Sequence, residues 1–127
     1  MIVLDASAAV DLLVERGEPG EWVVATLAGE NVVGAPHLVD QEVLSTLRQL
    51  LARREIREAL ADFADLGIVR YPVADLLEGI WRLRDRLTPY DASYVVLAEA
   101  LDAPLVTTDA RLGRAAGHRA RVVAYPA

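Results

Sequence analysis

Short apolar runs alternate with longer amphipathic ones along this chain. Ile2–Leu4, Asn31–Gly34, Gly67–Tyr71, Pro104–Thr107 and Arg121–Ala124 are brief, rich in Val, Ile or Leu, and lack polar alternation. That pattern predicts parallel strands covered on both faces. Between them lie stretches with helical spacing: Ser7–Glu15, Glu18–Ala28, His37–Ala52, Glu55–Asp65, Val73–Arg86, Pro89–Leu101 and Ala110–Ala115. In the third of these, Val39, Val43, Leu47 and Leu50 recur at intervals that share one helix face. Strands alternating with helices predict an α/β sandwich around a mostly parallel sheet of about five strands, with helices on both faces. Ligands in such sheets sit at the carboxyl ends of the strands.

Against that frame the acidic residues stand out. Asp5 ends the first strand, and an ionised carboxylate at the end of a buried run is costly unless something there needs it. Asp109 follows the fourth strand in PLVTTDARL. Glu42 lies in the first turns of the helix after APHL, and Asp91 opens the helix in LTPYDASYVVLAEA. A parallel sheet would gather all four at one edge. Each also has a plain structural role available: Asp5 or Ser7 as a helix cap, Asp109 as another, Thr88-Pro89-Tyr90-Asp91 as a capping box, Glu42 as a solvent-facing helical glutamate. Capping does not explain why the four coincide at one rim.

Crowding has an electrostatic consequence. Two carboxylates ~4 Å apart repel by about 4 kcal/mol at an effective dielectric of 20. Four in one cleft require a cation or raised pKa values. An all-oxygen donor set without Cys, and with His37 and His118 read as surface or helix-end residues, favours Mg²⁺ or Mn²⁺ over zinc. Such ions orient phosphates and activate water for in-line attack. Asp5 therefore reads as a metal ligand.

Composition sharpens this picture. The chain has 127 residues, which suits a single domain over 1–127, with 54% hydrophobic and 25% charged residues. No apolar stretch approaches the roughly 20 residues that span a bilayer. The N-terminal stretch carries Asp5 and Asp11 and no basic run, so it does not read as a secretory signal. The absence of cysteine excludes disulfides and fits a cytoplasmic protein. The net charge of −6 argues against nucleic acid at first sight, but cations on the four acids would offset most of it. Phosphate contacts could then come from Arg82, Arg84 and Arg86 on one helix, with Arg53, Arg54 and Arg57 on another, unless these are ordinary solvated faces. All 13 basic residues are arginine. Phosphatases and receiver domains that place an aspartate after an early strand also use a lysine, and the phosphatase pattern has an acid where this chain has Ser7; neither fits.

LDASA at the N-terminus, PHLVDQE ending at Glu42, DASYVVLAEAL and LVTTDARL occur together, in order, along essentially the whole chain. Jointly they resemble the PIN-domain ribonucleases, and among them the VapC-type toxins of bacterial toxin–antitoxin pairs. The resemblance implies a three-layer α/β/α sandwich and an acidic pocket that binds Mg²⁺ or Mn²⁺ and cleaves RNA. Carried over by position, Asp5, Glu42, Asp91 and Asp109 are the catalytic and metal-binding quartet, with Thr107 and Ser7 as supporting hydroxyls. Some relatives add an acid after the last aspartate; ARLGRAAG has none, which puts strong binding of a second metal in question.

The resemblance also implies an RNA substrate, a cognate antitoxin whose C-terminal segment fills the toxin groove, and a homodimer, without membrane association. The apolar stripe Leu76, Leu77, Ile80, Trp81 and Leu83 would serve a partner or plain core packing. Tyr90, Tyr94 and Trp22 are candidates for stacking on RNA bases. A competing reading is a catalytically inactive PIN-like module that uses the acidic groove to hold a partner peptide.

Overall fold

The computed structural model describes residues 1–14, 17–30 and 32–126. The five apolar runs become strands β1 (Ile2–Leu4), β2 (Val33–Pro36), β3 (Val69–Tyr71), β4 (Leu105–Thr107) and β5 (Val122–Ala124). All pairings are parallel, in the order β3-β2-β1-β4-β5. The sheet is thus wholly parallel where the sequence predicts mostly parallel. The helices are α1 (Ala6–Leu13), α2 (Gly17–Leu27), α3 (Val39–Leu50), α4 (Arg53–Asp65), α5 (Leu77–Arg82), α6 (Pro89–Leu101) and α7 (Ala110–Arg114). Helix α1 packs with α2, α3 and α4, whereas α6 lies on β1, β2 and β4 beside α5, which gives the three layers.

Several boundaries differ from expectation. The second strand is Val33–Pro36, shifted toward its carboxyl end relative to the predicted Asn31–Gly34; Asn31, like the predicted first-helix end at Glu15, lies outside the described residues. The predicted helix over Val73–Arg86 is a 3₁₀ turn at Ala74–Leu76 followed by the six residues of α5. The helix stops because the chain must turn before Thr88 and Pro89 start α6, with Leu83 and Leu87 turning on backbone bonds to Ile80 and Leu83.

The apolar stripe is split between two faces of α5 and the turn after it. Ile80 and Leu83 are buried in the core, whereas Leu77 and Trp81 are 59% and 67% exposed. Arg84 stacks over Trp81 at 4.7 Å. Gly79 faces Val96 so closely that an added Cβ would come within 2.9 Å of its methyl, which lets α5 lie against α6.

The core itself follows from the strand pattern. Val3, Leu4, Leu105 and Val106 are fully buried between helical layers, with Val39, Val43 and Leu47 of α3 on one side and Val95 of α6 on the other. Among the described residues no helix is long and apolar enough to cross a membrane.

The strand order carries the functional consequence. Connections run outward on opposite sides of the β1–β4 pair, so the switch point of this sheet lies between the carboxyl ends of β1 and β4. Asp5 and Asp109 follow those two strands.

Candidate active site

Backbone demands place the first carboxylate. Asp5 is the N-cap of α1, with an extended backbone and Oδ1 accepting from the Ala8 N–H at 2.9 Å. The capping role is therefore real, and it aims the side chain over the sheet edge. Ser7 Oγ donates to the same oxygen at 2.8 Å, and Thr107 Oγ1 donates to Oδ2. Thr107, wholly buried at the end of β4, also accepts from the Asp109 N–H at 2.9 Å. One hydroxyl thus ties the two aspartates together across the switch point. Ser7 Oγ lies 3.3 Å from Thr107 Oγ1 and accepts from the Thr108 N–H at 3.3 Å, which closes the network.

Asp109 repeats the capping geometry one strand over. Its Oδ1 accepts from the Arg111 N–H at 2.9 Å at the start of α7. Its Oδ2 pairs with the Arg111 guanidinium at 3.3 Å.

Helix polarity delivers the other two acids. Helix α3 leaves the carboxyl end of β2, so its first turn, with Glu42, stands at the same rim. Helix α6 runs back toward the start of β4, so its first turn stands there too, with Thr88 as N-cap accepting from the Asp91 N–H at 3.2 Å and Pro89 in the first helical turn. Tyr94, one turn beyond Asp91 on α6, reaches Glu42 Oε1 with its hydroxyl at 2.7 Å.

The four predicted acids meet. Asp5, Ser7, Glu42, Asp91 and Asp109 line one cleft of about 470 Å³, together with Asp11, Ser45, Thr46 and Tyr94. Among the described residues no arginine lines it.

Burial and mutual repulsion raise the pKa values of Asp5, Glu42 and Asp91. Asp5 is pushed up to about 6, chiefly by burial, against the opposing bonds from Thr107, Ala8 and Ser7 and with a small addition from Asp109. Glu42 is raised by burial, opposed by the Tyr94 bond and assisted by the Asp91 charge. Asp91 is raised by burial and by Asp109, opposed by Arg111 and Thr88. The Tyr94 phenol lies far above its ordinary range because it is buried and bonded to Glu42, so it serves as a hydrogen-bond donor at every physiological pH.

An oxygen-only donor set in which Asp5, Glu42 and Asp91 are held toward their neutral forms fits a hard divalent cation, which would relieve both burial and repulsion. Among the described residues, no three His, Asp or Glu side chains stand together as a ready-made metal cage. The site is an open cleft.

Several expected contacts are reassigned by the geometry. Tyr94 is 1% exposed and holds Glu42, so it is not a platform for RNA bases. Trp22 is half-buried, with its ring edge-on to Tyr125 at 5.7 Å, and packs against the core. Tyr90 is exposed beside Asp91. Arg82, Arg84 and Arg86 do not lie on one helix, because α5 ends at Arg82: Arg82 approaches Glu78 at 4.0 Å, Arg84 covers Trp81, and Arg86 lies in the turn beyond. Arg53 and Arg54 open α4 and, like Arg57, do not line the cleft.

His118 accepts from the Ala120 N–H at Nδ1 and lies 3.1 Å from the Ala115 carbonyl at Nε2, a turn-stabilising role. The contributions missed from sequence are Tyr94 as the positioner of Glu42 and Arg111 as the partner of Asp109. The signal for Tyr94 was its spacing of three from Asp91, which puts both on one helix face.

Comparison with known proteins follows the same lines. The PIN domain matches residues 2–118. The chain is 45% identical over 117 residues to a VapC ribonuclease of Mycobacterium bovis, covering 88% of each protein. Its fold resembles the crystal structure of Mycobacterium tuberculosis VapC20, described as a sarcin–ricin loop cleaving toxin, with TM-score 0.72, 19% identity, and 89% and 93% of the two chains covered. It also resembles VapBC2 of Rickettsia felis, crystallised on a DNA fragment from its promoter, with TM-score 0.69, 15% identity, and 99% and 100% covered.

Proposed function

The chain belongs to the PIN-domain family, among its VapC ribonucleases, and on that premise we propose that the acidic cleft hydrolyses RNA with the help of a bound divalent cation. The observation that supports metal dependence most is the convergence of Asp5, Glu42, Asp91 and Asp109 on one cleft. Mg²⁺ or Mn²⁺ there would supply charge for the phosphate and a water of lowered pKa. Asp5, Asp91 and Asp109 would hold the ion, with Glu42 completing the donor set. Ser7, Thr107 and the Ala8 N–H fix both oxygens of Asp5, so its carboxylate is presented in one orientation. Tyr94 holds one oxygen of Glu42, Oε1, through its hydroxyl. In-line attack of water on phosphorus breaks the bond to the 3′ oxygen and leaves 5′-phosphate and 3′-hydroxyl ends.

This ribonuclease is a toxin, and we propose that a cognate antitoxin restrains it. The VapBC2 assembly of Rickettsia felis, a fold neighbour crystallised on promoter DNA, supports that pairing by analogy of fold. A homodimer would be consistent with exposed Leu77 and Trp81.

The test is cleavage of a panel of structured RNAs by the purified protein with Mg²⁺ or Mn²⁺ and with EDTA, beside Asp5→Asn. Metal-dependent cutting that the variant lacks is the expected result. Cutting that persists in EDTA, or equal cutting by the folded variant, overturns the proposal. A folded protein that binds no metal and cuts nothing supports the peptide-holding module instead.

A further inference from the structure

An acidic cleft repels the substrate it is meant to cut. With none of the described residues lining it basic, attraction for the RNA backbone is sought beside it. A second cleft of about 410 Å³ adjoins the first and shares Asp91 with it; its lining includes Arg86, Thr88, Arg111 and Arg114.

Three separate features bring these arginines together. Arg111 and Arg114 are three apart on α7 and so share a face. Arg86 comes from the turn that ends α5, a segment placed there by the break in the predicted helix. Opposite Arg86, Gly117 adopts φ +90, and a Cβ at that position would come within 2.5 Å of Arg86 Cδ and 2.6 Å of Nε. The glycine therefore makes the space in which the Arg86 side chain lies. Among the described residues Arg86 and Arg114 have no ion-pair partner, whereas Arg111 is drawn to Asp109.

We propose that Arg86 and Arg114 bind consecutive phosphates of the single-stranded RNA on one side of the bond cut at the acidic cleft, with Arg111 at the junction. The inference rests on the ribonuclease reading of that cleft. It gives an acidic protein with net charge −6 a local basic track, and it commits to the sugar–phosphate backbone as ligand, not to bases. The track is therefore sequence-tolerant and positions the strand without selecting it.

The experiment is fluorescence anisotropy with a labelled single-stranded RNA of about a dozen nucleotides, across a salt series. The protein is the non-cutting Asp5→Asn form, compared with the same form also carrying Arg86→Gln and Arg114→Gln. Each phosphate contact contributes roughly −0.7 to the slope of log K against log salt for single strands. Loss of two contacts should flatten the slope by about 1.4. A control removing Arg53 and Arg54 from α4 by the same Arg→Gln change should leave the slope where it was.

In the cutting protein the double variant should raise KM with kcat retained. Equal flattening by the α4 control, an unchanged slope in the double variant, or an Asp5→Asn form that binds no RNA overturns the basic track. If the wild-type protein cuts RNA and the double variant keeps its KM, the track fails while the ribonuclease stands. If binding depends on the two arginines but no RNA is cut with any metal, the ribonuclease reading fails and the phosphate track remains.

Discussion

Asp5 and Asp109 are the same local device in different surroundings. Each follows a central parallel strand, each caps the next helix, and each is linked to Thr107. Asp5 is 5% exposed, meets three neutral donors and has no cationic partner among the described residues. Asp109 is 24% exposed at its side chain and pairs with the exposed guanidinium of Arg111. Depth below the sheet rim makes the difference. The deep carboxylate is oriented rigidly and pushed toward its neutral form, so it gains most from a cation. The shallow one has water and an arginine to share its charge, and it can exchange one partner for another at little cost.

The largest effect should come from neutralising the deep member. Asp5→Asn should lower RNA cleavage by about a thousandfold or more, corresponding to several kcal/mol of charge stabilisation lost from the site. The same change should raise the melting temperature of the metal-free protein at neutral pH, because it removes a buried ionised group. A fall in both activity and melting temperature would mean that the Asp5 charge holds the fold together, and the comparison would fail.

The pH dependence of stability sharpens the same point. Asp5 has a folded pKa of about 6 against 3.8 for an unperturbed aspartate, so the folded state binds the proton more tightly than the unfolded one. Its contribution is fully present below about pH 4 and is lost as pH rises through about 6, on the order of 3 kcal/mol in all. Other carboxylates titrate in the same window. The quantity to measure is therefore the difference between wild-type and Asp5→Asn urea-unfolding free energies, metal-free, from pH 4 to 7.5. A flat difference would show that burial does not tax Asp5.

Thr107→Val keeps the shape and removes the hydroxyl that serves both aspartates. It should cost about 1–3 kcal/mol of stability through the unpaired buried groups. With one opposing bond gone, the Asp5 pKa should climb further, moving the acidic limb of the pH–rate profile to higher pH. A variant that loses stability with the limb unmoved would assign Thr107 to packing alone.

The smallest effect belongs to the shallow member's partner. Arg111→Gln should leave the melting temperature unchanged within error, since the arginine is 83% exposed. Because it also removes a cation that competes for Asp109, Mn²⁺ titration followed by electron paramagnetic resonance should show equal or tighter binding. Weaker Mn²⁺ binding would contradict the exchangeable role of Asp109.

Much of this was readable from the chain alone. Unalternated apolar runs require burial on both faces, so parallel strands and their flanking helices followed from Ile2–Leu4 and Leu105–Thr107 without coordinates. The four acids were legible as well, because their position after strands or at helix starts is a property of sequence order, and a parallel sheet puts all such positions on one edge. Tertiary structure decided what lies between elements. Whether Tyr94 stacks on RNA or holds Glu42 depends on a contact spanning 52 residues. Whether Leu77 and Trp81 are buried with Ile80 and Leu83 depends on which face of α5 packs against α6. Arg86 joins Arg111 and Arg114 because Gly117 leaves room for its side chain. Local pattern carries burial and helix polarity, since both are set within a few residues; depth, partner and charge environment are set by segments far apart in sequence, and they exist only once the chain has packed.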